Sequence, residues 1–92
     1  MSRKAKITVY GSEHCSYCTA ARMLLKDKGL EFEDVLVNGN DGTRTHMEAL
    51  TNGRTVPQVV INDTPVGGFD ELYKMEQSGE LDQLLGIVTN EY

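Results

Sequence analysis

Long apolar runs are missing from this 92-residue chain; the longest are of the kind seen over residues 57–61. A membrane-spanning helix needs roughly 20 such residues, so no membrane is expected as a partner. Basic residues are scarce, with nine Lys and Arg against fourteen Asp and Glu for a net charge of −5. That balance does not suit a surface that tracks phosphate backbones, and nucleic acid is set aside as a partner class. Cysteine is down to two residues, Cys15 and Cys18, and the loop between them is too small to staple a secreted scaffold. The basic start, with Arg3, Lys4 and Lys6, runs straight into strand-like Ile7-Thr8-Val9-Tyr10, with no apolar stretch and no small-residue cleavage site of a secretory signal. A reducing, cytoplasmic location is the expectation. Internal repeats, low-complexity tracts and linkers are also absent. What remains is 39% hydrophobic residues, about 36 side chains, enough for one core between a sheet and a few helices. The chain is therefore expected to form one domain over residues 1–92.

The pattern along the chain alternates in period. Residues 6–10 are β-branched and alternating, and Gly11-Ser12 closes them, which predicts a first strand ending just ahead of the cysteines. Good helix formers from Ser16 onward, with Lys26 and Lys28 near the negative pole and Gly29 as cap, predict a helix over residues 16–28. Phe32, Val35, Leu36 and Val37 mark a second strand over residues 31–37, parallel to the first because a helical crossover joins them. Residues 38–42 are a dense turn signal. Met47, Ala49 and Leu50 then suggest a short helix with a narrow apolar face, ending near Asn52-Gly53. Residues 56–61 read as a buried strand, Asn62-Asp63 as a two-residue turn, and residues 64–66 as its hairpin partner. Phe69, Leu72, Tyr73, Leu81, Leu84 and Leu85 fall at helical spacing over residues 69–77 and 80–85, with Ser78-Gly79 as the break. The predicted order is βαβαββαα, an α/β fold, with a loosely held tail after Gly86.

The cysteines stand where a strand ends and a helix begins. There a sulfur lies near unpaired backbone N–H groups and the positive pole of the helix, both of which favour thiolate over thiol. Cys15 is placed to be the nucleophile that attacks a disulfide. Cys18, three residues on, can reach the Cys15 sulfur to resolve a mixed disulfide, and it is expected to be the more buried thiol. Two plainer readings stand beside this one. The pair is inert, or it is half of a zinc site, for which the chain offers only His14, His46 and carboxylates as further ligands. A lone loop histidine is more often simply exposed, and neither His14 nor His46 is given a catalytic role.

Three motifs in register, Cys15-Ser16-Tyr17-Cys18, Thr55-Val56-Pro57 and Gly67-Gly68-Phe69-Asp70, resemble those of the glutaredoxin family, and nearest to its small dithiol members of bacterial type. The resemblance spans residues 6–85. It implies a thioredoxin fold, with a four-stranded mixed sheet flanked by helices. It also implies glutathione-dependent reduction of protein disulfides and of glutathione mixed disulfides, with glutathione as co-substrate and disulfide-containing or glutathionylated proteins as partners. In that reading Cys15 attacks and holds glutathione, and Cys18 serves the dithiol route. Pro57 is the family's cis-proline, which presents the Val56 backbone to the glutathione cysteinyl unit, and Thr55 flanks that contact. Gly68 allows close approach of the backbone, the Phe69 and Asp70 amides receive the γ-glutamyl carboxylate, and the Asp70 side chain faces its ammonium. Tyr17 lines the groove, and Arg44 pairs with the glycyl carboxylate.

The chain also departs from that family's pattern. Ser12 stands where a lysine is usual, with Glu13 beside it, so the expectation is a less stabilised thiolate and a looser grip on glutathione. Ser16 replaces the commoner proline. Family members with serine there include some that hold a [2Fe–2S] cluster between two protomers through the first cysteine and two glutathiones. Cluster binding through Cys15 is therefore the alternative reading, with a monomer expected otherwise and a dimer only with the cluster. Redoxins fed by thioredoxin reductase lack the Gly-Gly-x-Asp segment, and Gly67–Asp70 argues against them.

Overall fold

The computed structural model describes residues 6–37 and 42–85. The expectations for Arg3 and Lys4, for the turn signal over residues 38–41 and for the tail after Gly86 lie outside the described residues. The elements are β1 (Ile7–Gly11), α1 (Ser16–Asp27), β2 (Glu33–Leu36), α2 (Thr43–Thr51), β3 (Gln58–Ile61), β4 (Thr64–Gly67), α3 (Phe69–Ser78) and α4 (Glu80–Leu85). Their order is the predicted βαβαββαα. The strands form one mixed sheet in the order β2-β1-β3-β4, with β1 parallel to β2 and antiparallel to β3, and β3 antiparallel to β4.

Alternation along the strands sends side chains to two faces. Ile7, Val9, Val59 and Ile61 join Ala21 and Leu25 of α1, Leu72 of α3, and Leu81 and Leu85 of α4 in one buried cluster. On the other face Tyr10, Val37 and Val60 pack with Met47 of α2. Leu50 and Tyr73, whose spacing placed them on apolar helix faces, are 38% and 46% exposed. The apolar stripe of α2 narrows to Met47, and Tyr73 lies outside the core.

Local chemistry explains most boundaries. Asn62 and Asp63 both adopt left-handed backbone (φ 52° and 66°), the geometry that a tight two-residue hairpin turn requires. The Asn62 side-chain oxygen accepts the Lys6 N–H at 2.9 Å, and its own N–H donates to the Lys6 carbonyl at 2.8 Å, pinning the hairpin to the start of β1. Pro65 is tolerated in β4 because that strand is at the sheet edge. β3 begins at Gln58, two residues later than the sequence pattern suggests, since Pro57 has no N–H to give a ladder and the Val56–Pro57 peptide is cis. β2 is shorter than predicted.

Gly11 is a correction. It does not stop β1 but forms its last buried residue, opposite Leu36, with its carbonyl accepting the Val37 N–H at 2.9 Å. A Cβ at this position would stand 2.8 Å from Cys18 Sγ and 3.0 Å from Arg22 Nη2. Glycine here makes room for what packs behind it.

Lys28 is the second correction. Rather than serving only the helix pole, its Nζ reaches across to Asp82 Oδ1 at 2.6 Å and Glu76 Oε1 at 2.7 Å, tying the end of α1 to α3 and α4. Burial alone would lower its pKa, but hydrogen bonds to Asp82 and Glu76 and their charges raise it overall.

Candidate active site

Cys15 is the N-cap of α1, in extended backbone (φ −113°, ψ 117°), and its Sγ accepts the Cys18 N–H at 3.3 Å. The same sulfur lies 3.9 Å from the Val56 carbonyl oxygen, next to the cis peptide to Pro57. Cys15 is half-buried, whereas Cys18 is fully buried behind it, and the two are free thiols.

Their proton affinities diverge. Burial works against ionisation at Cys15. The Cys18 thiol, the Cys18 and Tyr17 N–H groups and the Arg22 charge together outweigh it, so the Cys15 pKa lies below that of an ordinary thiol. At Cys18 burial and the hydrogen bond to Cys15 push the pKa up, against a backbone hydrogen bond from Ser12 and the Arg22 charge. One sulfur of the pair is thereby set up to be the thiolate and the other to donate to it.

Beside Cys15 and Val56 opens a cleft of about 450 Å³. Tyr17, Thr55, Val56, Pro57, Gly68, Phe69 and Asp70 all line it, bringing together three segments far apart in sequence. Arg44 is not brought there: its guanidinium donates to the Arg54 carbonyl at 2.7 Å, a bond that fastens α2 to the loop ahead of Pro57. His14 is 96% exposed, and His46 packs its ring 6.2 Å from that of Tyr10 on the α2 face of the sheet. Among the described residues no group of three or more His, Cys, Asp or Glu side chains is placed to hold a metal ion.

At the cleft the backbone conformation itself demands glycine at Gly67. Gly67 has φ +118°, a region side chains avoid, whereas a Cβ on Gly68 would meet the Pro57 carbonyl at an ordinary 3.4 Å. Gly68 N–H is satisfied by the Glu71 carboxylate at 2.9 Å, which shapes the start of α3 and leaves the first-turn N–H groups of that helix at the cleft.

Three further residues escaped the sequence reading. Arg22 supplies the positive charge that lowers the proton affinity of both thiols. Its Nε donates to Asp34 at 3.0 Å and its Nη2 to the Ser12 carbonyl at 3.3 Å. Its guanidinium and the Cys18 sulfur therefore crowd the same spot above Gly11. The signal was available, since a residue four positions after Cys18 shares its helix face. Gln58, a polar residue inside an apolar strand, is buried and donates to the Thr55 carbonyl at 2.9 Å, holding the loop that precedes the cleft. Glu71, three residues after the helix-opening glycine, has the spacing of a cap.

The family model "Glutaredoxin" matches residues 7–66. The chain is 38% identical over 81 residues to glutaredoxin 3 of Escherichia coli strain K12, covering 88% of this chain and 98% of that protein. It is 37% identical over 79 residues to a glutaredoxin of Pseudomonas aeruginosa, covering 86% and 94%. The solution structure of glutaredoxin from Brucella melitensis superposes with a TM-score of 0.78 at 34% identity, over 91% of each chain.

Proposed function

Because this chain belongs to the glutaredoxin family, whose members are generally thiol-disulfide oxidoreductases, we propose that it is a glutathione-dependent one with Cys15 as nucleophile and Cys18 as resolving thiol. The observation that carries the reading is the half-buried Cys15 sulfur at the head of α1, facing Val56 across from the first turn of α3. In the proposed reaction the Cys15 thiolate attacks the glutathione sulfur of a glutathionylated protein. A Cys15–glutathione disulfide forms, the protein–glutathione bond breaks, and the client leaves as a thiolate that takes a proton from water. A second glutathione thiolate then attacks the glutathione sulfur held on Cys15, releasing glutathione disulfide and restoring the Cys15 thiolate. With a protein disulfide, the Cys15 thiolate attacks one client sulfur and expels the other; Cys18, losing its proton, then attacks Cys15 and expels the remaining client sulfur, and two glutathiones reduce the resulting Cys15–Cys18 disulfide, leaving as glutathione disulfide.

The cleft suits a γ-linked tripeptide. The Val56 backbone is proposed to pair with its cysteinyl unit as an added strand, with Thr55 and Pro57 framing that contact. The Phe69 and Asp70 N–H groups receive the γ-glutamyl carboxylate at the helix start, Gly68 gives them access, the Asp70 carboxylate faces the ammonium, and Tyr17 lines the groove. Arg44, which donates one N–H to the Arg54 carbonyl, is proposed to offer its remaining N–H donors to the glycyl carboxylate. The protein is proposed to act as a cytoplasmic monomer.

The test is turnover of a small glutathione mixed disulfide with glutathione and its reductase, compared with thioredoxin reductase. Activity with the glutathione system is expected; activity with thioredoxin reductase alone would overturn the reading. Cys15→Ser is expected to abolish turnover and Cys18→Ser to keep it on glutathionylated substrates. Equal loss in both would contradict the division of labour.

Ser16 in place of proline supports a second reading. Cys15 is the half-buried thiol of the pair and Cys18 the buried one, so a [2Fe–2S] cluster would take one Cys15 thiolate from each of two copies and the rest from glutathione, supplying electron storage or transfer. Anaerobic reconstitution with iron, sulfide and glutathione, followed by visible absorption and size measurement, decides it. A colourless monomer rules it out.

A further inference from the structure

Between the end of α2 and the start of β3, residues 53–57 belong to no helix or strand, yet this segment presents Val56 to the cleft. Without a ladder, its peptide groups depend on side chains for partners. They find them in one run of contacts. The Thr51 hydroxyl donates to the Met47 carbonyl at 2.7 Å and accepts the Gly53 N–H at 3.0 Å. The Arg54 carbonyl accepts from the Arg44 guanidinium at 2.7 Å, and the Thr55 carbonyl accepts from Gln58 Nε2 at 2.9 Å, with the Thr55 hydroxyl 3.5 Å from the same nitrogen. The next carbonyl, that of Val56, is the one 3.9 Å from the Cys15 sulfur.

Gln58 is the fixed point of that run. It is 6% exposed, and its backbone pairs with Tyr10 of β1 inside the sheet. A buried amide in an apolar strand is costly unless it is bonded, and here the bond goes to the loop. The amide also has a neighbour that fits only by lacking a side chain. A Cβ on Gly53 would overlap Nε2 and stand 2.7 Å from Cδ and 3.0 Å from Oε1. Gly53 is not among the glycines with positive φ, so what it supplies is space rather than backbone freedom.

We propose that Gln58 is a positioning residue for recognition: wedged against Gly53 and bonded to the Thr55 carbonyl, it sets the direction in which Val56 offers its backbone, and so decides how tightly the cysteinyl unit of the substrate is held. The proposal rests on the reading of the cleft as a glutathione site and adds the residue that shapes it. The Cys15 thiolate owes Gln58 nothing, since the groups that favour ionisation there are the Cys18 thiol and N–H, the Tyr17 N–H and Arg22, all on α1. Recognition and ionisation are therefore separable.

The experiment measures KM and kcat for a small glutathione mixed disulfide, together with the pH profile of Cys15 alkylation by iodoacetamide, a reagent with no tripeptide to recognise. Gln58→Ala is expected to raise KM roughly three- to tenfold, the equilibrium worth of one hydrogen bond, with kcat little changed and the alkylation profile unmoved. Gly53→Ala keeps Gln58 but displaces its amide, and is expected to raise KM in the same way; should Gln58→Ala not fold, this variant carries the test. In the Gln58→Ala background the added methyl has room, so Gly53→Ala is expected to raise KM no further. An unchanged KM in either single variant, a shifted alkylation profile, or additive effects in the double variant would overturn the proposal. No turnover of the mixed disulfide by the wild type would instead overturn the glutathione reading, and the role of Gln58 with it.

Discussion

The two ends of the twelve-residue helix α1 do different work. At its head Cys15 caps the helix through its own sulfur, and the N–H groups that a serine or aspartate would ordinarily satisfy are turned toward a thiolate. At its tail Lys28 clamps Glu76 and Asp82 with two short ion pairs, and its side chain is only 15% exposed. One end of the helix holds a charge available for reaction, and the other neutralises charge to hold three helices together. The lesson is that a helix pole is a resource spent either on chemistry or on stability. Arg22 sits between, on the turn after Cys18, fixed by Asp34 and the Ser12 carbonyl.

Substitutions at each end test whether the two roles separate. The largest effect belongs to Cys15→Ser, expected to remove all turnover of glutathione mixed disulfides while the melting temperature stays within a few degrees of wild type, since the half-buried site gains no cavity. A large fall in melting temperature would join the two ends after all. Lys28→Met is expected to do the reverse: a loss of about 1–2 kcal/mol, or roughly 5–15 °C in melting temperature, with the Cys15 alkylation rate unchanged. Because the folded-state pKa of Lys28 is raised, its contribution is complete below the unfolded value of about 10.4 and is lost as pH rises through the folded value. The difference between wild type and Lys28→Met should therefore be constant through neutral pH and, on the alkaline side, shrink only in strong alkali.

Smaller effects are expected nearer the thiols. Arg22→Gln should raise the Cys15 pKa and slow its alkylation at pH 7 by about two- to threefold, because a nearby cation favours the thiolate, with Arg22→Lys close to wild type. An unchanged pH profile in Arg22→Gln would remove Arg22 from the account. In the wild type, alkylation of Cys15 should exceed that of free cysteine at pH 7 and fall as pH drops through the depressed pKa. The smallest change is Ser12→Lys, expected to move the thiolate absorbance midpoint lower by under about one pH unit. An equal or higher midpoint would show that a charge at position 12 does not reach the sulfur.

Much of the architecture was legible because it follows from local rules. The period change from alternating residues 6–10 to the helix formers after Ser16 marks β1 and α1, and Asn62-Asp63 marks the hairpin by the backbone those residues tolerate. Elsewhere a distant partner decided. Gly11 has the local pattern of a strand terminator, yet Cys18 and Arg22 fill the space beside it and keep it in the strand's buried end. Tyr73 matched a core periodicity and lies on the surface, because spacing gives the face of a helix but not where the neighbouring layer ends. Arg44 has the right charge and points to the Arg54 carbonyl.

The amino-acid order by itself determined the sequence of elements, the position of two thiols at a helix mouth and the family, since each depends on contacts within a few residues or on motifs in register. Which backbone position demands a positive-φ glycine and which cation stands behind the sulfurs were decided only by the tertiary structure, whereas Cys15 as the ionising thiol was already legible from its place at the helix mouth. Burial and the Arg22 guanidinium, which Asp34 on β2 holds in place, act through space, and proton affinity answers to distance in space, not in sequence.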